Sequence, residues 1–276
     1  MTADKDKGLH DGHRGRMREK LLMHGARVFA TYELLEMLLY YVIPYKDTNP
    51  VAKRLMAEFG TLDGVLCATK TALMSVSGVG ERVADFLLGF GPEEIMRRVL
   101  ASERGNAALL KYPNLLALME ADTNDLEELF EGDLTTVVYI RLASALIGRR
   151  KSDLFKLGIK HTSREIEEYL GALLFGLSLE TVYVLSVDSS GRVLASDFAG
   201  EGSACYSAVF PDRLLAIAKK RGATGVILAH NHPASDPTPS EDDIRSNEAL
   251  AATLSDFGIS LVRHYIFAGA EYCSFG

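Results

Sequence analysis

His230 and His232, followed after seven residues by Ser240 and three positions later by Asp243, are the side chains of this sequence best suited to hold a metal ion. Val226, Ile227 and Leu228 just before them form an apolar run that predicts a buried strand, on which residues i and i+2 point to one face. Imidazoles so placed start about 7 Å apart at the backbone and can close on one ion. Pro233, Pro237 and Pro239 stiffen the loop that follows, and Ser240 opens a helix containing Ile244, Leu250, Ala251 and Leu254, whose first turn can return Asp243 to the histidines. Two imidazoles and a carboxylate leave the fourth position of a tetrahedral Zn²⁺ open to water, which separates a catalytic site from a closed structural one, with one Zn²⁺ per chain. Ser240 and Asp243 also spell an S-x-x-D capping box, in which both side chains satisfy backbone amides at the helix start.

The elements needed to position this group can be read on either side of it. Thr162 to Glu165 is a capping box that starts a helix over 166–175. Thr181 to Val187 is a β-rich run ending in the turn composition Asp188-Ser189-Ser190-Gly191, with a return strand over 192–198. Pro211 suits the first turn of a helix reaching Gly222, and Ile259 to Phe267 reads as a last strand after the helix that begins at Ser240. Helices should therefore cover a curved, mixed sheet.

The amino-terminal half has a different texture. Residues 1–15 contain Gly8, Gly12 and Gly15 and almost no apolar side chains, which predicts a flexible arm. From Arg16 to Tyr41 apolar residues recur at helical intervals interrupted near Gly25, giving two helices, and further helices follow over 51–59, 62–66 and 71–74. Gly78 and Gly80 then let the backbone turn tightly between helices, and the amides at the start of the next helix, beside Arg82, could meet a DNA phosphate without reading base sequence. His13, Arg14, Arg16, Arg18, Lys20 and Arg27 form the most basic stretch, which could also meet phosphate or be a solvated helix face. Residues 120–133 are acidic and amphipathic, and 135–147 read as a buried helix or strand.

Composition bounds the partners. With 276 residues, 47% hydrophobic and 24% charged, the chain has material for two modest domains. A net charge of −7 argues against coating nucleic acid by bulk charge, so any DNA contact must be local. Cys67, Cys205 and Cys273 are scattered and odd in number, which suits a reducing cytoplasm and suggests neither disulfides nor a thiolate zinc cluster. No apolar run reaches bilayer-spanning length, so a cytoplasmic protein without membrane contact is expected.

The pattern His230-x-His232, seven residues, Ser240, two residues, Asp243 resembles the signature of JAMM (MPN+) metalloprotease-like domains, and HNHPASDPTPSEDD is most similar to the bacterial RadC family. That family usually has Pro-Ser-Gly after the histidines, whereas this chain has Ala234 and Ser235. GHRGRMREKL, YELLEMLLYYVIPYKDTNPVAKRLMAEFGTLDGVL and VSGVGERVADFL match the same family's text over roughly residues 11 to 90. The resemblance implies an α+β chain: the arm over 1–15, an all-α helix-hairpin-helix domain over 16–104, a linker or extra helical segment over 105–159, and an α/β JAMM/MPN-like domain over 160–276. It further implies His230, His232 and Asp243 as zinc ligands, Glu180 before the first core strand as the acid–base residue, Ser240 as an oxyanion donor, and DNA binding by the amino-terminal region. His264 matches a family histidine, but Arg263 replaces the aspartate that commonly precedes it, and no ligand role is assigned to it. The expected activity is hydrolysis of an amide bond in a protein or peptide, of peptidase or isopeptidase type. The alternatives are metal-dependent DNA processing and a non-catalytic interaction module with a structural metal.

Overall fold

The computed structural model describes residues 3–177, 179–202, 210–233 and 236–276. Ala234, Ser235 and Cys205 therefore lie outside the described residues. The chain divides into two compact units, Met1–Asp153 and Leu154–Gly276.

The amino-terminal unit is helical. Its first elements are α1 (Ala3–His24), α2 (Thr31–Leu39), α3 (Asn49–Phe59), α4 (Leu62–Leu66), α5 (Lys70–Ser75) and α6 (Glu81–Leu88). They are followed by α7 (Pro92–Leu100), α8 (Gly105–Lys111), α9 (Leu115–Glu120), α10 (Thr123–Leu129) and α11 (Leu134–Ser152). The apolar stretch that fitted either helix or strand is α11, which is buried along Val137 to Ser144 and packs against α1, α2, α4, α7, α9 and α10. A helix apolar on all sides is one surrounded by others, which is why its pattern lacks a clean period.

Two expectations for this unit, the arm and the role of Arg14, are revised. The stretch read as an arm over 1–15 belongs from residue 3 onward to α1, whose Met17 and Leu21 are buried and give the helix tertiary support despite its glycines. Residues 105–153 form helices within the same compact unit as the preceding ones, which ends at Asp153. Arg14, read as a phosphate contact, is only 9% exposed. Its guanidinium donates to the carbonyls of Ile43, Pro44 and Lys46 at 2.6–2.7 Å and lies over the Tyr40 ring. Beside it, the buried Glu36 carboxylate accepts from Tyr40 and Asn49 and contacts His13 Nε2 at 2.9 Å, so this corner is a satisfied polar network.

The carboxyl-terminal unit contains α12 (Ser163–Leu174), β1 (Thr181–Val187), β2 (Val193–Glu201), α13 (Phe210–Arg221), β3 (Gly225–Asn231), α14 (Glu241–Ser255), β4 (Ser260–Ala268) and β5 (Glu271–Phe275). The strands form one open mixed sheet in the order β2-β1-β3-β4-β5, parallel only between β3 and β4. On one face Val182, Val184, Val226 and Leu228 pack with Leu214 of α13 and Leu250 and Leu254 of α14. On the other, Leu185, Val187, Ile227 and Ala229 pack with Leu170 and Leu174 of α12. β3 is buried at every position, hence its continuous apolar text. Among the described residues, no helix is long and apolar enough to cross a membrane.

Candidate metal centre

The strand period of two puts His230 on the face of β3 that carries Val226 and Leu228, where α14 packs, and extends that face to His232 just beyond the strand end. Asp243, at the third position of α14, comes to the same place. His230 Nε2 lies 3.2 Å from Asp243 Oδ1, His232 Nε2 lies 3.4 Å from Asp243 Oδ2, and the two Nε2 atoms are 3.0 Å apart. All three groups offer an atom within 4.8 Å of the others, with His230 and Asp243 buried and His232 half-buried. The expected triad is thus brought together.

The donor chemistry fits a zinc-type ion. His232 Nδ1 is 3.0 Å from the carbonyl of Asp236, which can only accept, so Nδ1 carries a proton and the ring is held with Nε2 turned to the cluster, the atom that would bind an ion. Burial alone would raise the Asp243 carboxyl, but hydrogen bonds with His230, His232 and the Ser240 hydroxyl outweigh it and hold the group well below the usual carboxylate range. The hydrogen bond with Asp243 correspondingly raises His232. Burial pushes His264 well down, favouring its neutral form.

Ser240 is the N-cap of α14. Its Oγ accepts from the Asp243 amide at 3.1 Å and donates to Asp243 Oδ2 at 2.5 Å, while its own amide donates to that oxygen at 2.8 Å. The capping box and the proposed metal ligand are therefore one arrangement: the cap orients the carboxylate. Ser240→Ala is expected to cost about 1 kcal/mol in thermal or chemical unfolding. A fall in turnover of about 100-fold or more would mark an oxyanion role beyond capping, and unchanged turnover would leave capping alone.

Glu180 immediately precedes β1, whose Val182 pairs with His230, so it enters the sheet at the histidine end of β3. Glu180, His230 and Asp243 line one narrow cleft, and the negative charge of Glu180 is among the influences raising His232.

Two residues not singled out from the sequence support this geometry. Asn231 sits between the histidines and points to the opposite face, where its Oδ1 accepts from Thr181 N at 2.8 Å and its Nδ2 donates to the carbonyls of Leu177 and Leu179 at 3.1 and 3.2 Å. It fastens the approach to β1, and with it Glu180, to β3. Asn247, one turn after Asp243 on α14, faces His264 Nδ1 at 3.0 Å. A polar residue alternating with two histidines at the end of an apolar strand was the available signal for Asn231, and Asn247 offered only its four-residue spacing from Asp243.

The residues expected to meet DNA belong to the other unit. Gly78 adopts φ +94°, and a Cβ there would lie 2.8 Å from Val51 Cγ2, so this glycine serves close packing on α3. Gly80 is the N-cap of α6, Arg82 is exposed on that helix, and the neighbouring Glu81 and Asp85 both pair with Lys70 at 2.8 Å. On α1, Arg16 is exposed and Arg18 half-buried, while Arg14 is committed to carbonyls as described.

An open mixed sheet flanked by helices, with two histidines and an aspartate gathered at the end of its central strand, defines a JAB-type domain of the JAMM-related, metal-dependent class; residues 160–276 match the RadC-like JAB domain and residues 12–84 the UPF0758 N-terminal domain. A UPF0758 protein of Fusobacterium nucleatum subsp. nucleatum is 31% identical over 273 residues, covering 99% of this chain and 97% of the relative. UPF0758 proteins of Photobacterium profundum and Herminiimonas arsenicoxydans are 29% identical over 261 residues and 24% over 260, each covering 94% of this chain and 93% of the relative. The chain belongs to the RadC (UPF0758) family.

Proposed function

We propose that the carboxyl-terminal unit is a zinc-dependent hydrolase of amide bonds in a protein or peptide, of peptidase or isopeptidase type. The observation that carries this reading is the convergence of His230, His232 and Asp243 in a cleft that Glu180 also lines. His230, His232 and Asp243 would hold the ion, and when bound it supplies Lewis acidity that polarises a carbonyl and acidifies water. Glu180 takes a proton from the attacking water as its oxygen bonds to the amide carbon, then delivers that proton to the leaving nitrogen as the C–N bond breaks. Turning the Ser240 hydroxyl from Asp243 toward the developing oxyanion would supply a donor worth about 3 kcal/mol. A carboxylate beside one three-ligand centre suits amide hydrolysis better than the two-metal arrangement common in phosphoryl transfer. Sequence-independent DNA contact through Arg16, Arg82 and the start of α6 is part of the same proposal, as a tether for the catalytic unit.

The test compares zinc-loaded full-length wild type with Glu180→Gln on peptides and isopeptide-linked conjugates. Glu180→Gln is expected to keep its zinc and its fold and to lose about 10²- to 10⁴-fold in turnover. Equal turnover would remove Glu180 from the reaction. Cleavage of DNA with the same Glu180 dependence would move the chemistry to phosphodiesters.

A further inference from the structure

In the helical amino-terminal unit two hollows, of about 350 and about 340 Å³, adjoin across Tyr41, Arg97 and Arg98, which line both. The first is completed by Val42 and by Arg82 and Phe86 of α6, the second by Thr135, Thr136 and Tyr139 of α11. Between them, Arg98 Cζ lies 5.0–5.3 Å from the ring centres of Tyr41, Phe86 and Tyr139, so three aromatic groups hold one planar cation. Spacing along α7 orients it further. Glu94, three and four residues earlier, accepts from Nε and Nη2 of Arg97 and from Nε of Arg98 at 2.7–2.8 Å. Among the described residues, no well-formed hydrogen bond uses Nη1 of Arg97 or either Nη of Arg98.

The charges around the cleft favour an anion. Asp85 pairs with Lys70, Asp133 accepts from Ser102 and Thr136, and Glu94 sets one negative charge against two guanidinium groups. Arg82 is exposed. Tyr139 gives an independent sign: it is 2% exposed, and its hydroxyl makes no well-formed hydrogen bond among the described residues, although buried polar groups are nearly always matched. Cationic donors set among ring faces are the combination that takes a phosphate together with a planar base. We propose that this cleft binds a nucleotide, free or as part of a single DNA strand, with the base against Phe86 and the Arg98 guanidinium plane and the phosphate on the terminal nitrogens of Arg97 and Arg98. Each hollow has the volume of a small-molecule pocket. The site is distinct from the helix-start contact proposed as a tether, because it takes an unstacked base, which an intact duplex withholds.

Calorimetric titration of the full-length protein tests the assignment, using thymidine monophosphate, an oligothymidine of about ten nucleotides, a duplex of the same length and inorganic phosphate. Saturable binding of the mononucleotide or the single strand is expected, weakened about 10-fold or more by Arg98→Ala and about 5-fold or more by Phe86→Leu, which keeps an apolar side chain but loses the ring. Arg97→Ala, at a side chain 66% exposed, removes a phosphate donor without disturbing the core and carries the test should Arg98→Ala fail to fold. Binding of the mononucleotide assigns the site to free nucleotides, and binding of the strand alone assigns it to DNA. No binding of either, binding that all three substitutions leave unchanged, or displacement by inorganic phosphate as effective as by the mononucleotide overturns the proposal. Duplex binding that survives all three substitutions, without single-strand or mononucleotide binding, removes the cleft and leaves the tether standing. Mononucleotide binding without any DNA binding upholds the cleft and defeats the tether.

Discussion

Asp243→Ala is expected to bind no zinc under conditions where the wild type binds one ion per chain, as read by elemental analysis after dialysis. The carboxylate is 3% exposed and reaches both histidines, so its removal leaves two imidazole nitrogens 3.0 Å apart with no anionic ligand between them. A drop in affinity of roughly 10³-fold or more is expected, and with it the stabilisation that ligand excess gives, about 2.7 kcal/mol at a hundred times Kd. The same substitution removes the acceptor of the Ser240 amide, so the apo variant should also be less stable than the apo wild type. Double replacement of His230 and His232 by alanine should abolish zinc while sparing that cap, which separates the two effects. The pH dependence has a definite sign. In the fold without metal, the hydrogen bond with Asp243 raises His232, so that contact stabilises most below the unfolded pKa and is lost as pH rises through the folded one. Zinc needs the neutral ring, so the gain in melting temperature on adding zinc should grow from about pH 6 to about pH 8. A gain that shrinks over that range would count against His232 as a ligand.

The second large effect is expected at Asn231, which contacts no proposed ligand atom. Asn231→Leu strips the partner from the buried Thr181 N and one donor each from the Leu177 and Leu179 carbonyls, the latter still accepting from Thr181 Oγ1. A buried backbone amide left unmatched costs about 1–3 kcal/mol, so a loss of about 1–3 kcal/mol is expected in denaturant unfolding of the carboxyl-terminal unit. Asn231→Asp should do little better, since it keeps the acceptor for Thr181 but turns a carboxylate toward two carbonyl oxygens. Because this contact holds the residues flanking Glu180 against β3, mild variants should lose turnover before they lose zinc. A cost below about 1 kcal/mol for Asn231→Leu would show that the anchor is dispensable.

Much of the candidate site was legible because its information is local. His230 and His232 share a strand face through the period of two, and Ser240 and Asp243 share a helix start through the capping pattern, so a few residues of text fix both pairs. What stayed hidden depends on partners distant in sequence. Asn231 meets Leu177 across 54 residues, and Arg14 meets Pro44 across 30, so nothing beside either residue announces its acceptor. A charged residue in a basic run reads as solvent-facing on average, and Arg14 departs from that average because three carbonyls converge on it. β5 escaped for another reason: at five residues, none of them buried, Glu271 to Phe275 carries little of the alternation that marks a strand. α11 was legible as buried but not as helical, because an apolar run without a polar face fits either period.

The parallel junction of β3 and β4 has a bearing on how the molecule reaches its native state. α14 forms the body of the crossover between these strands, so His230, Asp243 and His264 all come from one strand–helix–strand passage. Parallel pairing gains nothing until the intervening chain has closed, and such non-local closure is slow compared with formation of a hairpin like β1–β2. The ligand cluster therefore matures late: the hairpin and isolated helices can form while the histidines and Asp243 are still apart. Zinc uptake followed during refolding would then lag the recovery of secondary structure, making the ion a reporter of crossover closure rather than a nucleus around which the chain collapses.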